Sequence, residues 1–380
     1  MTLYEHIREG FHKNIRQYTM VMALVLIWVA LTLFTDGVFL SPRNISNLFL
    51  QTVTVGIVAC GMTLIIVTGN IDLSVGAVAG FAGAVAAVLQ VNYGWGTVPS
   101  VLAALAAGLL IGAWHGFWVA YRKVPAFIVT LASMLAFRGA ILGVTGGATI
   151  SPLRDSFKAI GTNYVSPFFS GLIAALCVLG FVAVQLRMRK RRMAYGFPVL
   201  PLSAETLKLS VQAVVLAAAF SIMIFNQGIP YAVLLLLALA LAFGFMAQRT
   251  VFGRRLYAIG GNAEAAKLSG INIDRTLMKM FMLSGVITAV AGTVMTARLN
   301  AATTSAGVNM ELDAIAACVI GGTSLMGGEG TIVGALIGAL IMSSLDNGMS
   351  LMNLDITYQY VVKGLILLIA VWVDISTRRK

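Results

Sequence analysis

Long apolar runs separated by short polar intervals organise the chain, at about residues 20–40, 51–68, 75–91, 98–120, 126–145, 167–186, 211–227, 230–247, 278–298, 311–327, 331–346 and 357–374. Each approaches the ~20 residues that a helix needs to cross a hydrocarbon layer. The runs are continuous, not alternating in ten-residue strands, which excludes a β-barrel. A helix satisfies its own backbone hydrogen bonds in lipid. The pattern therefore predicts an all-α polytopic membrane protein of about twelve transmembrane helices. A polar arm at 1–19 precedes one transmembrane domain at 20–376, and a basic tail at 377–380 follows it. Two longer polar intervals, 187–210 and 249–277, read as loops.

Charge adds an orientation. Of 380 residues only 11% are charged and 59% are hydrophobic, whereas a soluble domain is roughly a quarter charged. The formal charge of +12 sits in short loops: Arg8, Lys13 and Arg16; Arg122 and Lys123; Arg187 to Arg192; Arg249, Arg254 and Arg255; Arg378 to Lys380. Such loops mark a cytoplasmic face, which places both termini inside and the protein in a plasma membrane. No aromatics interleave with the basic residues, so nucleic acid is not the expected partner. Cys60, Cys177 and Cys318 all lie in apolar runs without metal-ligand spacing, so neither a disulfide nor a metal is expected. The first apolar run has no cleavage pattern and reads as an anchor.

Two stretches share a pattern 258 positions apart. Ala59-Cys60, Gly69, Val75-Gly76-Ala77 and Gly80 recur as Ala317-Cys318, Gly327, Val333-Gly334-Ala335 and Gly338. In each copy a glycine break interrupts two apolar runs, as in transporters built from repeats. In the first break, Asp72 or Ser74 is suited to cap the next helix; alternatively Asn70, Asp72 and Ser74 line a polar path. The second break offers Thr323, Ser324 and Glu329 among glycines that suit close helix packing equally well. No lysine is present there, so this is not a nucleotide-binding loop. Arg138, Glu311, Asp313, Asp346 and Lys363 fall inside or beside apolar runs without an assignable pairing, and helix-end snorkelling accounts for Arg138 and Lys363 as well as function does. His115 is alone, no group of residues resembles a catalytic site, and no cofactor is expected.

Within the polar interval Phe252 to Asn272, Asn262 is a suitable N-cap, Ala263 to Ser269 suit two helical turns, and Gly270 suits their end. Glu264 complements the helix dipole in the first turn. Glu264-Ala265-Ala266-Lys267-Leu268-Ser269-Gly270 matches the EAAxxxG core of permeases in ATP-binding-cassette importers. With GNIDLSVG, YRKVPAFIVTLASMLAFRG and ELDAIAACVIGGTSLMGGEG, the chain closely resembles xylose-type permeases of monosaccharide importers from about residue 20 to 376. The resemblance implies a homodimer, a separate cytoplasmic ATPase and a periplasmic sugar-binding protein. It implies that Asn262, Glu264, Ala265, Ala266, Lys267 and Gly270 form the segment that meets the ATPase. The competing expectation is an ion-coupled carrier that needs no partner.

Overall fold

The computed structural model describes residues 15–197 and 199–378. Most of the N-terminal arm, with Arg8 and Lys13, and the last two residues of the tail lie outside them. The helices, in order, are α1 Ile15–Phe34, α2 Pro42–Val67, α3 Val75–Val91, α4 Thr97–Gly116, α5 Ala126–Thr145, α6 Asp155–Thr162, α7 Pro167–Ala194, α8 Leu202–Asn226, α9 Tyr231–Arg249, α10 Val251–Gly261, α11 Ala263–Leu268, α12 Ile273–Leu299, α13 Met310–Ile320, α14 Ile332–Leu351 and α15 Ile356–Arg378. Among the described residues nine helices are long and apolar enough to cross a membrane, and two shorter apolar helices cover Thr19–Phe34 and Val75–Val91. The architecture is all-helical and polytopic.

Two boundaries differ from the apolar pattern. The run at 311–327 contains only the 11-residue α13, about 16 Å long and half of a ~30 Å hydrocarbon layer. Glycine is near neutral in hydropathy and a poor helix former, so Gly321 and Gly322 end the helix without interrupting the apolar pattern, and the run continues as a loop. Conversely, the interval 187–210 is mostly helix: α7 runs to Ala194 and α8 starts at Leu202. Arg189 of α7 pairs with Glu205 of α8 across the turn, so polar residues extend both helices beyond the apolar runs.

Burial separates a core from a periphery. In the apolar windows of α2 and α12, 89% and 72% of residues are buried, against 6% in α7, 11% in α8 and none in α15. Lipid is as apolar as leucine, so helices associate here through close backbone approach. Gly108, Gly112 and Gly116 form a stripe on α4 against α12: a methyl group at Gly108 would lie 2.4 Å from the Gly285 carbonyl oxygen, and one at Gly112 2.3 Å from that of Phe281. Lys123, just after α4, pairs with Asp274 at the start of α12. That pair sets one basic loop beside the polar interval that holds α10 and α11. At the opposite end, backbone bonds tie Ile150 to Ala302 and Tyr231 to Asn163.

Candidate functional site

Local sequence builds α11 as its residues predict, while the stretch before it, read as part of a loop, is the helix α10. The Thr250 hydroxyl accepts from the Gly253 N–H and starts α10; the Asn262 Oδ1 accepts from the Ala265 N–H at 2.9 Å and starts α11. Gly270 ends the turn at φ 80°, where the Gly270 and Ile271 amides donate to the Lys267 and Ala266 carbonyls. This closure needs a left-handed residue, the conformation that glycine adopts without strain. Only Ala266 of α11 is buried, while Glu264, Ala265 and Lys267 are exposed. Leu268 is 90% exposed.

Immediately before α11, α10 touches both helix breaks. A methyl group on Gly260 would lie 1.7 Å from the Val67 carbonyl oxygen, at the end of α2, and 2.6 Å from the Gly328 amide nitrogen in the second break. The Gly328 N–H donates to that same Val67 carbonyl at 2.8 Å. The Tyr257 hydroxyl donates to the Gly330 carbonyl at 2.7 Å. Burial pushes the Tyr257 phenol above its ordinary value, so it stays a neutral donor around pH 7. Three backbones thus meet at glycines, at van der Waals distance, with one phenol crossing the joint.

The first break spans 68–74. Asp72 is buried, and its Oδ1 accepts from the Ser74 N–H at 2.8 Å and the Ser74 hydroxyl at 2.6 Å. Asp72, not Ser74, therefore caps the backbone turn, and the Ser74 side chain serves the carboxylate. The Thr130 hydroxyl of α5 accepts from the Leu73 N–H at 3.1 Å. Asn70 turns back to donate to the Thr68 hydroxyl at 2.9 Å. In the second break, 321–331, Thr323 and Ser324 are fully buried, and the Ser324 N–H donates to the Glu329 carbonyl. Glu329 itself is exposed, beside the α10 joint. The two breaks adjoin at Val67–Gly328.

Residues without a role in the sequence pattern prove to hold the interrupted parts. Arg138 of α5 is not a snorkelling residue: its guanidinium donates to the carbonyls of Ala306 and Gly307, both at 2.8 Å. These belong to the segment 300–309 that leads into the short α13. Gly307 packs against Gly76, and a methyl group on Gly76 would lie 2.2 Å from Glu311 Oε2. Lys363 of α15 pairs with Asp313 of α13 and Asp346 of α14. Asn44 of α2 and Asn347 of α14 exchange amide hydrogen bonds at 2.8 and 3.0 Å. Ionisable residues within apolar runs were the available signal; the partners, more than 150 positions away for Arg138, were not.

A family model described as branched-chain amino acid transport system, permease component, matches residues 44–371. The chain belongs to that family. Among curated relatives, the xylose transport system permease protein XylH of Escherichia coli K12 is 49% identical over 97% of this chain and 93% of its own length. XylH of Haemophilus influenzae is 46% identical over 97% of this chain and 98% of its own. The ribose import permease protein RbsC of Bacillus subtilis is 38% identical over 92% of this chain and 90% of its own. No solved structure matches the chain. As a permease component the protein is a non-catalytic, multi-pass membrane subunit.

Proposed function

We propose that the chain is the transmembrane subunit of an ATP-binding-cassette importer for D-xylose or a related monosaccharide. A periplasmic binding protein delivers the sugar, and a separate ATPase drives the cycle. Two copies of the permease flank the path. The chain crosses the membrane about twelve times, with α13 and the loop that follows it making one crossing, and both termini are cytoplasmic. Asn262, Glu264, Ala265, Ala266, Lys267 and Gly270 form the contact with the ATPase, and the polar residues of the two breaks border the path.

The observation that carries this reading is the position of α10 and α11. The two-turn helix α11 leaves Glu264, Ala265, Lys267 and Leu268 open to a partner protein. The helix before it presses on the backbone of both breaks through Gly260. A displacement of α11 toward or away from the membrane therefore reaches both breaks within one rigid helix. The high identity to xylose permeases supports the substrate class. In proteoliposomes, the permease with its ATPase and binding protein accumulates xylose on ATP addition. Glu264→Ala combined with Gly270→Ala leaves membrane insertion intact and removes that accumulation. Normal uptake by the stable double variant overturns the coupling assignment, and gradient-driven accumulation by the permease alone overturns the importer reading.

A further inference from the structure

The Asp313–Lys363–Asp346 cluster lies away from the glycine joint and is not used by it. Lys363 Nζ is 3.0 Å from Asp313 Oδ2 and 2.8 Å from Asp346 Oδ2. The two aspartates stand on the two arms of the second broken pair, α13 and α14. Asp346 lies 14 residues past Ile332, about 21 Å along α14 from the break. One end of the pair is thus a backbone joint of glycines and the other is an ionic clasp to α15. Charged groups at such positions persist only with partners and mark functional sites in membrane helices.

The two links of the clasp are not equivalent. Side-chain exposure is 11% for Asp313 and 32% for Asp346, with Lys363 at 18%. α13 and α15 also lie side by side along a cavity of about 160 Å³ lined by Leu312, Ala316, Gly364 and Leu367, to which α14 contributes only Met342. Fully ionised, the three groups sum to −1, so Lys363 cannot leave both aspartates without stranding two carboxylates. It can release one, and Asp346 is the one carried by the helix that packs less against α15.

We propose that Lys363 is a positioning residue for transport, holding α15 to α13 throughout the cycle while its link to Asp346 opens and closes as α14 moves on the glycine joint. This rests on the transport reading. The test leaves the clasp intact and ties its neighbours with a reducible bifunctional thiol reagent, after exposed Cys177 is replaced by serine. Met342→Cys with Leu367→Cys joins α14 to α15; Leu312→Cys with Gly364→Cys joins α13 to α15, and nothing lies within 4 Å of a side chain added at Gly364. Cross-linking the first pair lowers uptake by the reconstituted complex at least tenfold and reduction restores it to within twofold, whereas the second pair changes uptake less than twofold. Equal inhibition by both pairs, or by neither, overturns the proposal. The rate of cross-linking at each pair, with and without ATP and vanadate, decides the same point without sugar. A nucleotide-dependent rate at the first pair alone supports the clasp, even where wild-type vesicles accumulate no xylose and the substrate reading fails. Lys363→Gln, with Asp346→Asn as the milder variant, provides the check on folding: Asp346→Asn keeps the Asp313 link and lowers the maximal uptake rate several-fold with an unchanged KM, and an unchanged maximal rate counts against it.

Discussion

The two helix breaks carry the same glycine pattern and are held in opposite ways. The first is tied by side chains: Asp72 caps the turn through Ser74, and Thr130 of α5 holds Leu73. The second is held mainly by backbone, with Gly322, Gly327, Gly328 and Gly330 all at positive φ, α10 laid against them through Gly260 and the Tyr257 phenol bound to the Gly330 carbonyl. Side-chain hydrogen bonds fix a geometry and resist change, while glycine contacts leave the backbone free to occupy more than one conformation. The difference separates the two copies of the repeat: the first bend is held by a carboxylate and by α5, and the second by glycine backbone and the Tyr257 phenol of α10.

Substitutions that convert one kind of break into the other sharpen this contrast. Gly260→Val has the largest expected effect, because its side chain meets backbone atoms that cannot swing aside; we expect a loss of about 3 kcal/mol or more and abolished uptake, read by thermal unfolding and transport assays. Asp72→Ala removes two hydrogen bonds from the anchored bend and should cost about 2 kcal/mol, with uptake falling in proportion to folded protein. Tyr257→Phe should cost only about 1 kcal/mol yet reduce ATPase stimulation several-fold, which Thr130→Val, of equal cost on the first break, should not. A matched loss of coupling in both variants would erase the distinction between the breaks. Tyr257 also predicts a pH effect. Its folded-state value is raised, so its stabilisation is complete below the ordinary tyrosine value near 10 and is lost as pH rises through the folded one. Tyr257→Phe removes that alkaline component of the unfolding profile. The smallest effect on stability belongs to Leu268→Ser, within about 0.5 kcal/mol, although it should weaken ATPase binding measured by co-purification.

Much of this was legible in residue order. Apolar runs located the helices, and Asn262 and Gly270 located the ends of α11, because capping depends on residues within one turn. Arg138 and Lys363 were visible as anomalies but not as partners. A guanidinium that binds the carbonyls of Ala306 and Gly307 leaves no local trace at either site, since any residue supplies a carbonyl. The short α13 was misjudged for a related reason: hydropathy records how apolar a stretch is, and Gly321, Gly322, Gly327 and Gly328 remain compatible with an apolar run while ending its helix.

Sequence by itself determined that this protein is a polytopic helical membrane protein, with two glycine breaks and a short polar helix between spans. Those properties follow from transfer of side chains to hydrocarbon and from bonds within a single turn. Only the tertiary structure decided that both breaks meet at Gly260, that Lys363 links the arms of the second, and that Arg138 secures the loop into α13. Each of these is a contact between distant segments, set by how closely particular backbones approach. That distance is a property of the packed bundle and of no single segment.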